Sequence, residues 1–167
     1  MKGLGTALIT PFTKEGEVDY AALSKLIEHQ IASGADYLVL LGTTSEVPTL
    51  THVEQDAIID FAVKQVEGRV PMILGIGGNS THAVVGRINE LKEILVAHFA
   101  GILSVTPYYN RPQQEGLYLH FSAVAEASPV PVILYNVPKR TGVNLLPETT
   151  RRIYDAHPEK IMGIKEA

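Results

Sequence analysis

The chain contains no cysteine. That absence excludes a disulfide-held scaffold, a thiolate nucleophile and any thiolate metal site. No stretch approaches the roughly 18 consecutive apolar residues that a membrane helix needs. The opening Met1-Lys2-Gly3-Leu4-Gly5-Thr6 has neither the apolar core nor the small-residue cleavage pattern of a signal peptide. A cytoplasmic protein is therefore expected. Positive charge is also short: 14 Lys and Arg stand against 18 Asp and Glu, and no basic stripe forms, so nucleic acid is not an expected partner. His29, His52, His82, His98, His120 and His157 show no metal-ligand spacing. They are expected on the surface or on helix faces, and neither a metal nor a cofactor is expected. Low-complexity tracts, long linkers and internal repeats beyond the strand–helix unit are missing too.

What is present is a globular pattern. At 46% hydrophobic and 19% charged, the 167 residues can bury one core of ordinary size. Six short runs are apolar on successive residues: Gly5–Thr10, Tyr37–Leu41, Pro71–Ile76, Gly101–Thr106, Pro131–Tyr135 and Ile161–Ile164. Continuous apolarity of this length predicts strands buried on both faces, as in parallel sheets. Between the runs lie helical periodicities. Tyr20, Leu23, Ile27 and Ile31 predict a first helix with Asp19 as N-cap and Gly34 as stop. Thr51-His52-Val53-Glu54 is a capping box that opens a second, ending at Gly68. Val84, Ile88, Leu91 and Leu95 predict one continuous third helix from Ser80 or Thr81. A fourth runs over 113–127, and a fifth starts at Pro147 and stops before His157-Pro158.

Five strand–helix units followed by a sixth strand imply a parallel sheet with right-handed crossovers. A doubly wound sheet and a (β/α)8 barrel both fit. No G-x-G-x-x-G follows the first strand, and Gly75-Ile76-Gly77-Gly78-Asn79 lacks that spacing, so it reads as a tight strand-to-helix turn. The polar residues cluster at strand C-terminal ends: Gly42-Thr43-Thr44, Asn79, Pro107-Tyr108-Tyr109-Asn110, Tyr135-Asn136 and Lys165. In a (β/α)8 barrel that rim is the active-site face. Strand alternation places Ile161, Gly163 and Lys165 on one face and Met162 and Ile164 on the other, packed on helices. Glu166, on the face opposite Lys165, is not expected to pair with it. A lysine held dry at such a strand end becomes a neutral amine able to form a Schiff base with a carbonyl. Taken singly, Thr43 and Thr44 read as turn caps, Tyr108 and Tyr109 as core or interface aromatics, and Arg140 and Lys165 as solvated charges.

Taken together, Thr10-Pro11-Phe12, Gly42-Thr43-Thr44, Val105-Thr106-Pro107-Tyr108-Tyr109-Asn110, Leu134-Tyr135-Asn136-Val137-Pro138, Arg140-Thr141-Gly142 and Gly163-Ile164-Lys165-Glu166-Ala167 resemble the dihydrodipicolinate (4-hydroxy-tetrahydrodipicolinate) synthases. These belong to the pyruvate-dependent class I aldolase family that also holds N-acetylneuraminate lyase. The resemblance implies a (β/α)8 barrel, with residues 1–167 as the N-terminal portion of a single barrel domain. Strands seven and eight and a C-terminal helical region would then lie outside it. It implies condensation of pyruvate with aspartate semialdehyde through an imine on Lys165, without a cofactor. Tyr135, Thr43 and Tyr109 would relay protons, with Tyr109 reaching into a neighbouring subunit. Thr44 would hold the pyruvate carboxylate and Arg140 the semialdehyde carboxylate. A dimer of dimers is the implied assembly.

Lysine-inhibited members of the family carry an effector site, of which Asn79, Tyr108 and His52 remain here, whereas Val47-Pro48, Gln55 and Ala83 stand at the other matching positions, so feedback inhibition by lysine is not implied. Ser45 replaces the family's usual glycine, which a negative φ tolerates. Gly42-Thr43-Thr44 and Arg140 favour the synthases over N-acetylneuraminate lyase and the other aldolases. A reading of another class is a non-catalytic half-barrel that associates with itself through open strand edges. On the resemblance, the 167 residues alone are expected to turn over little substrate.

Overall fold

Asp19 starts the first helix by accepting a hydrogen bond from the Ala22 amide at 2.9 Å, and Gly34, at φ +89°, lets the chain leave it. This helix, α1 (Tyr20–Ala32), and the next, α2 (His52–Val66), are bounded close to the predicted positions. The capping box of α2 is complete: Thr51 Oγ1 accepts from the Glu54 amide, and the Glu54 carboxylate accepts from the Thr51 amide. Described throughout is a computed structural model covering residues 2–167.

The chain divides into two compact units, residues 1–75 and 76–167. In the first, β1 (Gly5–Ala7), β2 (Tyr37–Leu40) and β3 (Met72–Gly75) pair in parallel, with Val39 opposite both Ala7 and Ile73. Leu23 and Ile27 of α1 and Ile58, Ile59, Ala62 and Val66 of α2 bury with Leu38 and Leu40 of β2. Glu28 joins α1 to α2 by accepting from Arg69 and Gln65. The paired guanidinium and amide hold its carboxyl down at about 2.

The second unit contains β4 (Gly101–Val105), β5 (Val132–Asn136) and β6 (Ile161–Glu166), again parallel. Its helices are α3 (Thr81–Glu90), α4 (Lys92–His98), α5 (Gln114–Ala127), α6 (Pro138–Thr141) and α7 (Pro147–Ala156). The single helix expected from Val84 to Leu95 is two. At Leu91 ψ is 8°, which redirects the chain so that Ile88 before it and Leu95 and Phe99 after it are all buried. The helix α6 was not predicted, although Pro138 at its start and Gly142, at φ +72°, at its end follow the usual asymmetry of helix termini. The tight turn at Gly77 is explained by close approach: a Cβ there would lie 2.8 Å from the Val105 side chain and 3.0 Å from its amide. Among the described residues no helix is long and apolar enough to cross a membrane. No group of three or more His, Asp or Glu side chains there could hold a metal ion.

His120 sits on a helix as expected, but on the buried face of α5, 2% exposed. Its Nδ1 lies 2.9 Å from Thr81 Oγ1, its ring meets Phe121 edge-on, and Nε2 has no protein partner. Burial holds its pKa down at about 4. In the unfolded chain a histidine titrates near 6.5, so the unfolded state binds a proton that the native state refuses. Stability therefore falls as pH drops from about 6.5 to about 4 and is flat with respect to this group below that. The displacement corresponds to about 3 kcal/mol. Urea unfolding at about pH 7 and about pH 4 measures it; His120→Gln is expected to remove most of that difference while leaving the contribution of the carboxylates.

Candidate active site

The site residues follow from how each strand ends. In the first unit β2 runs into Leu41, a buried residue at φ +52°. Its carbonyl turns onto Gly75, where a Cβ would lie only 2.0 Å from the Leu41 oxygen. Glycine is therefore required at the end of β3. The chain then forms a 3-10 turn over Thr43–Ser45, closed by Glu46 at φ +56°. Ser45 is not in the left-handed region, so replacing glycine there brings no backbone strain. Its hydroxyl donates to the Leu8 carbonyl at 2.6 Å, and Thr10 Oγ1 donates to the Ser45 carbonyl at 2.8 Å. Two buried stitches from the residues just after β1 thus hold the turn, leaving Thr43 and Thr44 exposed. Thr10 stands in the Thr10-Pro11-Phe12 motif, and no local sequence signal marks its stitching role. His52, the first residue of α2, is exposed.

In the second unit Tyr135 and Lys165 are register partners across β5 and β6. In parallel strands such partners project to the same face, and Lys165 Nζ lies 4.4 Å from the Tyr135 ring centroid. The ring is 5% exposed and forms a fixed floor for the amine. An ammonium over a tyrosine face at an exposed site gains about 0.5–1 kcal/mol.

Three expectations fail in β6. Strict alternation fails in β6, because an irregularity between Val132 and Ile133 sets Ile161 opposite Val132 and Gly163 opposite Ile133. Met162 is the extra residue, so Ile161 lies on the Val132 face and not with Gly163 and Lys165. It is buried there, 6% exposed. Met162 and Ile164 were expected to pack on helices, but are 38% and 37% exposed. Lys165 was expected to be held dry, and it is exposed. The two exposures share one physical reason: within its unit β6 has β5 on one side and no strand on the other among the described residues.

Behind Lys165, Glu166 lies opposite Asn136 on the reverse face of the sheet, as expected. Asn136 Nδ2 donates to Glu166 Oε2 at 2.9 Å and to Asn144 Oδ1 at 2.7 Å, and its Oδ1 accepts from the Leu145 amide at 2.9 Å. Arg140 is exposed on α6. The guanidinium of Arg111, a residue that sequence reasoning passed over, packs on Gly142. A Cβ on Gly142 would lie 2.7 Å from Arg111 Nε. After β4, Tyr109 takes φ +71° and is 89% exposed, while Tyr108 is 36% exposed. Asn110 Nδ2 donates to the exposed Asn79 carbonyl at 3.1 Å, which ties the turn after β3 to the Tyr108–Asn110 turn. The structure thus brings Lys165 to Tyr135, and the Asn79 turn to the Tyr108–Tyr109 turn. Thr43, Thr44 and His52 belong to the other unit.

The profile of the Dihydrodipicolinate synthetase family matches residues 1–167. The 4-hydroxy-tetrahydrodipicolinate synthase of Parabacteroides distasonis is 51% identical over 167 residues, covering 100% of this chain and 55% of that protein. The crystal structure of dihydrodipicolinate synthase from Aquifex aeolicus superposes with a TM-score of 0.92 at 44% identity, over 100% of this chain and 55% of its own. The chloride-inhibited dihydrodipicolinate synthase from Acinetobacter baumannii, solved with pyruvate, gives 0.92 at 42% identity, over 99% and 55%. The chain therefore spans about half the length of the curated relatives it matches. The fold is the one expected: strand–helix units of a (β/α)8 barrel, six of the eight strands being present.

The turn stitches make a stability prediction. Ser45→Ala removes the donor to the buried Leu8 carbonyl and should cost about 1–2 kcal/mol. Gly75→Ala, whose Cβ meets backbone, should cost more, about 3 kcal/mol. Urea titration of the two variants checks both the size and the order.

Proposed function

The chain belongs to the Dihydrodipicolinate synthetase family, and from that premise we propose that Lys165 forms an imine with pyruvate in a condensation with aspartate semialdehyde. The observation that carries this reading is the register pairing of Lys165 with Tyr135, amine over ring at 4.4 Å, at the end of a strand where barrel enzymes place their chemistry.

The chemistry follows from the amine. Lys165 Nζ attacks C2 of pyruvate, and loss of water leaves an iminium that withdraws electrons from the adjacent methyl group. A proton leaves the methyl, and the resulting enamine carbon attacks the aldehyde of the second substrate, whose oxygen takes a proton. The iminium is itself the electron sink, so the reading needs no cofactor. The Tyr135 hydroxyl is the proton carrier, with Thr43 and Tyr109 completing the relay. Thr44 binds the pyruvate carboxylate. The Arg140 guanidinium, free to present its planar fork, suits the carboxylate of the semialdehyde.

Residues 1–167 then form the N-terminal portion of one barrel domain of a cytoplasmic lyase acting in lysine and diaminopimelate biosynthesis. The exposed, left-handed Tyr109 supports a homo-oligomer, a dimer of dimers, in which this ring enters a neighbouring copy's site. Asn79 and Tyr108, on turns joined by Asn110, together with His52 retain part of a lysine effector site.

Incubation with pyruvate and borohydride, followed by peptide mapping, tests the central step. A reduced adduct is expected on Lys165 and is expected to vanish in Lys165→Arg. Tyr135→Phe should slow its formation by about a hundredfold for a lost proton-transfer group. An adduct on another lysine, or one that survives Lys165→Arg, overturns the assignment.

A further inference from the structure

Asn136 is buried, 2% exposed, yet bonds to two separate chain segments. On one side its Nδ2 donates to Glu166 Oε2 at 2.9 Å, and its carbonyl accepts from the Ala167 amide at 3.1 Å. On the other its Oδ1 accepts from the Leu145 amide at 2.9 Å, and Nδ2 donates to Asn144 Oδ1 at 2.7 Å. The second segment closes the loop that begins with α6, the helix carrying Arg140. That loop is also fixed from α5, where Gln114 donates to the Asn144 carbonyl and accepts from Thr149 Oγ1. Thr141 closes it internally by donating to the Val143 carbonyl.

Both amide hydrogens and the amide oxygen of Asn136 are thereby used. No other neutral side chain of this length offers two donors and an acceptor in one plane. Glu166 follows Lys165 directly, and consecutive strand residues face opposite ways. A bond to Glu166 therefore fixes the strand from behind without touching the amine.

We propose that Asn136 is a positioning residue: its carboxamide locks the strand end bearing Lys165 to the loop bearing Arg140, so that amine and guanidinium keep one spacing. Among the described residues β6 pairs with β5 alone, and Glu166 is itself exposed. Without the lock the last residues of β6 lose the side-chain hydrogen bond that ties them to β5. The consequence for chemistry rests on the Schiff-base reading of Lys165; the lock itself does not.

Asn136→Asp separates the two sides. The carboxylate can still accept from the Leu145 amide, but it now faces the Glu166 carboxylate and repels it. Glu166→Gln in the same chain restores a donor–acceptor pair with the roles reversed. Hydrogen exchange and pyruvate–borohydride trapping are measured on the full chain for the parent, Asn136→Asp and the double variant. In Asn136→Asp the Ala167 amide is expected to exchange about tenfold faster while the Leu145 amide keeps its protection. Adduct formation on Lys165, per folded molecule, is expected to slow about tenfold or more for a misplaced reacting group. The double variant is expected to return both to within about threefold of the parent.

An Ala167 amide that stays protected in Asn136→Asp, or a failure of Glu166→Gln to restore it, overturns the lock. A parent adduct rate in Asn136→Asp, despite a lowered melting temperature, reduces Asn136 to a stabilising residue and overturns its positioning role. If the parent itself forms no adduct on Lys165, the Schiff-base reading fails, and the exchange pattern still decides the lock.

Discussion

The parallel pairing of β5 with β6 is the constraint from which the candidate chemistry follows. Backbone hydrogen bonds set Tyr135 against Lys165 and Asn136 against Glu166. Because alternate residues face opposite ways, one ladder builds two assemblies back to back. The front holds an amine over a phenol ring. The back holds a carboxylate on a carboxamide. A slip of one residue would exchange the two faces and send the lysine behind the sheet. The irregularity at Met162 matters for the same reason. It absorbs one residue between the buried Ile161 and the site, so that Ile161 packs in the core while Gly163 and Lys165 face the other way.

Polar stitches, not apolar burial, set the fine geometry. The core fixes which elements pack together, but a leucine contact has no direction. Ser45 and Thr10 aim at single carbonyls and fix the Thr43–Thr44 turn to the end of β1. Gln114 and Asn136 do the same for the loop after α6. Each uses a short neutral side chain that is buried or half-buried, where hydrogen bonds are strongest and a missing partner costs most. Backbone strain accompanies them. Leu41, Glu46, Tyr109 and Arg111 all take positive φ, a conformation unfavourable for residues with a Cβ, and all four lie just beyond strand C-terminal ends.

Much of this was legible in the sequence where a local signal has a physical cause. Continuous apolar runs located six strands; Asp19, the Thr51–Glu54 box and Pro147 located helix starts within a residue. That Thr43 and Tyr109 each follow a strand and that Tyr135 and Lys165 each lie near a strand's C-terminal end was equally readable, because strand order dictates which end each loop leaves. Non-local facts were not readable. The bend at Leu91 depends on which side of the helix meets the core. The register irregularity at Met162 is a relation between two strands, and periodicity within one cannot reveal it. His120 looked like any helical histidine until α3 supplied Thr81 as its partner. Short α6 was missed although Pro138 and Gly142 bracket it, because four residues are too few to show a period.

The exposure of Lys165 separates two requirements that active-site lysines are usually described as meeting together. One is aim: the amine must stand where a carbonyl carbon can reach it. The other is dryness, since water stabilises the ammonium form and that form has no lone pair to attack with. Aim is secured by register and by the Tyr135 floor, both of which belong to β5 and β6 alone. Dryness needs cover on both sides of the strand that bears the lysine, and among the described residues β6 pairs with β5 alone. A strand pair can therefore carry the geometry of imine chemistry before its surroundings supply the medium for it. The ring floor reinforces the point, because a tyrosine face attracts the cation it orients. On the Schiff-base proposal, geometry sets which lysine would react and burial sets how fast.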